Sequence, residues 1–439
     1  MMPQNNLIQG FSRLSSEEKR KLVENLFVEP HNAAEILRSF LHPNPAIQGL
    51  LSEFSENTIS NFALPYNVAP NFLINERFYM VPMVTEESSV VAAASSAARF
   101  WADRGGFIAR TISTQKTGQV HFLFRDNPAL LLQHQQAIEA HLRQATSSLV
   151  KNMEKRGGGI VCFEILNRTA EIDHYFQLQV KFETADAMGA NFINSVLEEC
   201  AKALCEYFDQ IPGFAPSAFE RVMAILSNHV PDCLVEVSVG CPIDDLADIA
   251  PETEASEFAR RFVLALEIAG KDIYRAATHN KGIMNGVDAV VIATGNDFRA
   301  IEAGAHAYAA RNGQYTSLSR ASVSDGIFEF TLTLPLAVGT VGGLTKSHPL
   351  AALSLELLGN PGAAELMQIA AAAGLANNFS AVKSLITTGI QAGHMRMHLP
   401  NILTQLGATT EEKEKAADFF KGQIVSFQKV SDFLNSIRK

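Results

Sequence analysis

The 439-residue chain carries a formal net charge of −10, with 47% hydrophobic and 8% aromatic residues. That balance describes a globular protein long enough for two or three domains and a large core. The acidic surplus argues against nucleic acid as the main partner, because phosphate backbones select a basic face. Cys162, Cys200, Cys205, Cys233 and Cys241 form no C-x-x-C pair and leave an odd count. Neither a disulfide framework nor a metal site is indicated, and a reducing, cytoplasmic setting is expected. No apolar run reaches the ~18 residues of a membrane span. The first residues lack the basic and apolar regions of a signal peptide, so no membrane partner is expected.

Ser15 and Glu18 form a capping box ahead of Leu22, Leu26 and Phe27 at helical spacing. Glu29-Pro30-His31 should break that helix, and a second is expected over 33–41, ended by His42-Pro43. Leu64-Pro65 and Ala69-Pro70 impose extended or turned backbone. Residues 79–85 read as a strand. It delivers Glu86-Glu87-Ser88-Ser89 and then a run of small residues, 90–98, suited to close helix packing. Adjacent carboxylates at such a junction are commonly N-terminal helix charges.

From about residue 113 the pattern changes. Strands are expected at 120–125, 160–165 and 175–182, and helices at 129–155 and 188–208, with Gly157-Gly158-Gly159 as a turn. This β-α-β-β-α succession needs one more strand to complete a split βαβ unit. Residues 220–226 are the candidate, although they also read as helical. Within this segment Asp186-Ala187-Met188-Gly189-Ala190-Asn191 opens a helix. Asp186 can cap it, Gly189 allows close approach to the backbone, and free N–H groups there suit a pyrophosphate. A capped helix with one glycine is also a common structural feature. No G-x-G-x-x-G fingerprint accompanies it.

The densest chemistry lies between Arg275 and Asp297. Asn280 and Lys281 precede Gly282, and Asn285-Gly286 read as a turn. Residues 287–293 are apolar apart from Asp288 and read as a buried strand ending in Gly295-Asn296-Asp297. Either Lys281 and Asp297 serve one site, or one is a solvated lysine and the other a helix N-cap. Residues 328–336 alternate as a strand leading to the glycines of 339–343. Residues 389–398 precede two charged amphipathic helices at about 410–421 and 424–436.

R-A-A-T-H-N-K-G-I-M-N-G, from Arg275, followed by A-T-G-N-D-F-R-A-I-E-A-G-A-H-A-Y, resembles the 3-hydroxy-3-methylglutaryl-coenzyme A (HMG-CoA) reductases, specifically the soluble bacterial class II group. E-N-T-I-S, V-P-M-V-T-E-E-S-S, D-A-M-G-A-N, T-V-G-G and G-I-Q-A-G-H-M carry the likeness along nearly the whole chain, with Ser60 where the family has glycine. The resemblance implies an α+β fold. A large mixed helix/sheet domain, 1–112 and 227–387, would hold an inserted ferredoxin-like domain at 113–226, with a helical C-terminal flap at 388–439. It implies catalytic roles for Glu87, Lys281, Asp297 and His394. Substrate contacts would come from Ser89, Arg275, Asn285 and Asn228. Cofactor contacts would come from Asp186, Met188, Gly189, Ala190 and Asn191. The implied partners are HMG-CoA, mevalonate and coenzyme A, in a homodimer or dimer-based oligomer with a shared active site.

Each residue type answers a need of thioester reduction. Lys281 stabilises the oxyanion that hydride attack creates. Glu87 supplies a proton, because two neighbouring carboxylates resist joint ionisation and Asp297 would be its neighbour. His394 protonates the departing thiolate, and Arg275 suits the glutaryl carboxylate. NADPH is the expected cofactor, since no carboxylate follows Gly159 until Glu164; NADH is the alternative. Mevalonate oxidation by the same enzyme, or a non-catalytic coenzyme A or nucleotide-binding protein, are the competing readings.

Overall fold

The structure, a computed structural model, describes residues 8–210, 214, 218–387, 399–400, 402–420, 423 and 425–438. The chain separates into two compact units, Met1–Pro65 and Tyr66–Lys439.

In the first unit, α1 (Ser16–Glu24) opens with the expected capping box: Ser15 Oγ accepts from Glu18 N–H, and the Glu18 carboxylate accepts from Ser15 N–H. Pro30 starts α2 (Pro30–Ser39) instead of merely ending the preceding helix. At the first helical position its missing N–H leaves no bond unmade. Asn44 caps α3 (Pro45–Glu53). Ser60, the departure from glycine, donates from its hydroxyl to the Leu37 carbonyl at 2.7 Å.

The second unit begins with an antiparallel hairpin, β1 (Tyr66–Ile74) and β2 (Arg77–Val84). Pro70 and Asn71 form a bulge in it, with Asn71 at φ 70°. Next come α4 (Val90–Ala102) and β3 (Ile108–Thr111), then β4 (Lys116–Phe124), α5 (Pro128–Glu154), β5 (Gly159–Asn167), β6 (Tyr175–Glu183), α6 (Ala190–Gln210) and β7 (Phe219–Leu226). The ambiguous last stretch is a strand, because its backbone pairs antiparallel with β4 from Phe219 opposite Phe124. These four strands form one sheet in the order β5-β6-β4-β7. Val120, Phe122, Phe124, Leu178 and Phe182 pack there against Leu197 and Leu204 of α6, as a core of their own.

β8 (Leu234–Pro242) then pairs antiparallel with β3, from Thr111 opposite Val235. The chain therefore leaves and re-enters a second sheet at adjacent strands, which lets the intervening segment fold on itself. After α7 (Ala255–Ala269), α8 (Ile273–Ala293) and α9 (Phe298–Ala309), β9 (Ser319–Ser324) and β10 (Ile327–Pro335) complete that sheet in the order β3-β8-β10-β9. α10 (Leu344–Ser347), α11 (Pro349–Leu357) and α12 (Ala363–Ile386) follow. α12 is the centre of the main core: Ala370 to Ala373, Leu375, Ala376 and Phe379 are all buried. After α12, helices Thr410–Phe419 and Phe427–Ile437 pack through Ala416, Phe420, Val430 and Leu434. Among the described residues no helix is long and apolar enough to cross a membrane.

The stretch read as a turn and a strand at 285–293 is instead the second half of α8. A short apolar run fits a buried helix as well as a buried strand, and the helix here is long. Gly286 is a packing residue: a Cβ on it would lie 2.3 Å from the Ala373 carbonyl oxygen of α12. Across the same contact, a Cβ on Gly374 would lie 2.7 Å from Val287 Cγ2. Each glycine lets one helix approach the other's backbone.

Candidate active site

The end of β2 and the start of α4 bring Glu87 toward α8, where Glu87 Oε2 accepts a hydrogen bond from Lys281 Nζ at 2.6 Å. Glu87 lines a cleft of about 370 Å³ walled by α4, α8 and α12, with Ser89, Gly282, Asn285, Asn377 and Ser380 also in its lining. Glu87, Ser89, Lys281 and Asn285 are thus brought together. Ser89 sits at φ 85°, a left-handed conformation rare for a residue with a side chain. Such strain collects at sites where geometry matters more than local stability. Ser380 Oγ donates to the Ala93 carbonyl at 2.9 Å, tying α12 to α4.

Behind the cleft lies a buried polar triangle. Ser319 Oγ donates to Asn378 Oδ1 at 2.7 Å, and His279 Nε2 lies 2.7 Å from the same hydroxyl. Since that hydroxyl's proton goes to Asn378, His279 Nε2 must be the donor, leaving Nδ1 to face Asn378 Nδ2 at 3.5 Å. Burial, with the Arg275 charge adding to it, pushes the His279 imidazole down to about 3, so it is neutral at working pH. Next to it, Asn280 accepts from Leu318 N–H and donates to the Thr316 carbonyl. His279 and Asn280 hold α8 in place; Lys281 beside them reaches Glu87, which lines the cleft.

Asp297 is elsewhere in the same chain. It caps α9, accepting from Arg299 N–H at 3.1 Å and Ala300 N–H at 3.2 Å, and pairs with the Arg299 guanidinium. At ~1.5 Å per residue, α8 puts about 18 Å between Lys281 and Ala293 alone. Asp297 lines a separate cavity of about 280 Å³ with Asn228, Met188, Ala190 and Lys116. A neighbouring cleft of about 210 Å³ is lined by Met188, Gly189, Ala190 and Asn191 together with Gly295, Asn296 and the glycines at 339, 342 and 343. The D-A-M-G-A-N loop and the T-V-G-G run therefore meet. Asn296 Oδ1 accepts from Gly339 N–H at 2.7 Å, and Thr340 N–H donates to the Asp186 carbonyl at 2.8 Å.

Asp186 does not cap the helix that follows it. Its carboxylate accepts from Ala363 N–H at 2.8 Å, the start of α12, so it staples the loop to that helix. Gly189, at φ 86°, is demanded by the protein itself: a Cβ there would lie 2.5 Å from Thr184 Cγ2. Lys116 Nζ reaches the same turn, donating to the Ala187 carbonyl at 3.0 Å. Glu164 lies between Phe163 and Ile165, which pack on the core, so its side chain faces the opposite side of the sheet. Arg275 is half-buried on α8, one helical stripe with Gly282 but about two turns toward the N-terminus. His394 lies outside the described residues. The sequence reading missed Asn377, Ser380, Lys383 and Ser384. Their signal was a set of polar positions spaced three and four apart in an otherwise alanine-rich helix.

These features define an α+β protein with a lysine–carboxylate pair in one cleft and a glycine-built, anion-compatible helix N-terminus at another. The sequence pattern of the hydroxymethylglutaryl-coenzyme A reductases matches residues 15–399, and the chain belongs to that family. A 3-hydroxy-3-methylglutaryl-coenzyme A reductase from Archaeoglobus fulgidus is 37% identical over 420 residues, 94% of this chain and 90% of its own. A class II reductase from Streptococcus pneumoniae, solved bound to NADPH in open conformations, is 38% identical with a TM-score of 0.72, over 86% of this chain and 99% of that one. Another structure of the Streptococcus pneumoniae reductase has a TM-score of 0.73 at 35% identity, over 98% and 99% of the two chains.

Proposed function

We propose that the chain reduces 3-hydroxy-3-methylglutaryl-coenzyme A to mevalonate and coenzyme A, with two NADPH supplying two hydrides. The observation that carries this reading is the Lys281–Glu87 pair at 2.6 Å, with Glu87 lining a cleft that also presents Ser89 and Asn285. Lys281 donates to the thioester oxygen as negative charge builds on it, and holds the same role in the second, aldehyde reduction. Glu87, already hydrogen-bonded to that ammonium, is placed to pass a proton toward the oxygen. His394 protonates the thiolate when the thiohemiacetal collapses. Ser89 and Asn285 orient the acyl chain.

The residues around the D-A-M-G-A-N loop fit a dinucleotide: the amides at the start of α6 and those of Gly342 and Gly343 offer N–H groups to a pyrophosphate. The β-α-β-β-α-β succession, its own core and its antiparallel exit beside β3 support reading 113–226 as an inserted ferredoxin-like cofactor domain. The helices after residue 399 are proposed as the flap that closes over substrate. The separation of Lys281 from Asp297 along α8 supports a homodimer in which Asp297 of a second copy completes the site. Asp186 is proposed to serve cofactor binding indirectly, by fixing the loop.

The test is absorbance at 340 nm with HMG-CoA and either NADPH or NADH. Consumption of two NADPH per HMG-CoA is expected, with NADH slower. No consumption of either cofactor overturns the reading in favour of a non-catalytic binding protein.

A further inference from the structure

Lys383 is the cation in the lining of the cleft at Glu87. It lies on α12 among Asn377, Ser380 and Ser384, and lines the cleft with Glu87 and Asn285. Among the described residues its ammonium has no hydrogen-bond or ion-pair partner; burial is the only influence on it, and pushes it down. The one carboxylate in the lining, Glu87, is already bonded to Lys281. Lys281 itself is not among the lining residues, so Lys383 is the cation that the cleft presents to an incoming group. A partly buried charge without a counterion costs stability, and an anion entering the cleft would remove that cost. Arg275, the cation that the sequence suggested for the substrate's carboxylate, is not among the residues lining this cleft.

We infer that Lys383 is a substrate-binding residue that pairs with an oxyanion of the acyl-coenzyme A, either the free carboxylate of the acyl chain or a phosphate of the coenzyme. This rests on the proposed reductase activity and names the cation that recognises its substrate. Because the charge has no partner among the described residues, replacing it should not weaken the fold.

The experiment compares wild type, Lys383→Met and Lys383→Arg for HMG-CoA reduction, mevaldehyde reduction and thermal unfolding. Mevaldehyde keeps the carboxylate and lacks the coenzyme. For Lys383→Met the KM for HMG-CoA should rise about ten- to a hundredfold, the range of a lost charge-assisted hydrogen bond. The kcat and the KM for NADPH should hold, the unfolding temperature should be equal or higher, and Lys383→Arg should restore most of the affinity. A parallel rise in the KM for mevaldehyde identifies the carboxylate as the ligand group; a rise for HMG-CoA alone identifies a phosphate. Unchanged KM values for both substrates overturn the inference, as does a fall in kcat together with a lower unfolding temperature. Calorimetric binding of HMG-CoA gives the same readout without turnover. Weakened binding in Lys383→Met, with no NADPH consumption by wild type, would keep this inference and overturn the proposed reaction.

Discussion

The cleft at Glu87 is walled by three helices, whereas the cleft where Met188 and Gly189 face Gly339, Gly342 and Gly343 is walled by two glycine-containing loops. In the first, α8 and α12 approach closely through Gly286 and Gly374, and the His279–Ser319–Asn378 triangle fixes the contact. Functional groups then project from turns of known spacing. In the second, Gly189 and the glycines of 339–343 bring two loops together by hydrogen bonds between main chains. Helices hold reacting groups to the fraction of an ångström that chemistry needs. Loops with free N–H groups suit an anion that must enter and leave. The two regions should accordingly fail in different ways when altered.

The largest expected effect is on the helical cleft. Lys281→Ala should lower kcat by about 10²–10³, the usual loss of an oxyanion donor. Its side chain is 60% exposed, so the unfolding temperature should hold. NADPH consumption and thermal unfolding measured on the same preparation check this. Turnover within a few-fold of wild type would remove Lys281 from the chemistry.

Next in size is the pH dependence of the triangle behind that cleft. In the unfolded chain His279 takes a proton near its ordinary 6.5, while in the folded protein burial holds it down to about 3. Between those values the unfolded state binds the extra proton, so acid favours unfolding. The stability of wild type relative to His279→Gln should fall by about 1.4 kcal/mol per pH unit as pH drops below 6.5. Denaturant unfolding at pH 7.5, 6 and 5 reads the difference, with ~1.4 kcal/mol per unit as the yardstick. A constant difference across that range would mean that the imidazole is not held neutral.

The backbone-built region should respond through the cofactor. Gly189→Ala places a Cβ against Thr184 and forces a side chain into φ 86°. A left-handed alanine costs ~1–2 kcal/mol, which predicts a rise of about tenfold in the KM for NADPH. The KM for HMG-CoA should be unaffected. Equal changes in both would show that the two regions are not separable.

How much of this was legible in the sequence follows the same division. The strands and helices of 113–226 were readable because alternation and helical spacing are local, and the last strand needed only its partner, β4, to settle it. The α8 region misled because Asn285-Gly286 looks like a turn in isolation; only the facing Ala373 explains the glycine. The motif around Asp186 was found, but not that its carboxylate would cap a helix that starts at Ala363. Glu87 and Lys281, 194 positions apart, form a hydrogen bond that no local pattern announces; only the resemblance assigned both to one site, with Asp297 expected as the neighbour of Glu87. Lys383 escaped because one lysine in an alanine-rich helix has the look of a solvated position until its neighbours are known.

Ser89 gives the smallest expected effect and the finest test of how the helical cleft is held. Its φ of 85° costs a non-glycine residue ~1–2 kcal/mol, which the hairpin and α4 impose on it. Glycine relieves that strain but brings a more flexible unfolded chain, an opposing ~0.4–1 kcal/mol. Ser89→Gly should therefore gain stability by about 0–1.6 kcal/mol. At the same time it removes the hydroxyl that is proposed to touch the acyl chain, so the KM for HMG-CoA should rise while the KM for NADPH stays put. Ser89→Ala keeps the strain and loses the same hydroxyl. If the two variants bind substrate equally poorly but differ in stability, the conformation is the cost of presenting the hydroxyl. If Ser89→Gly is instead less stable than Ser89→Ala, the left-handed turn is not strained, and the cleft is held by the helices alone.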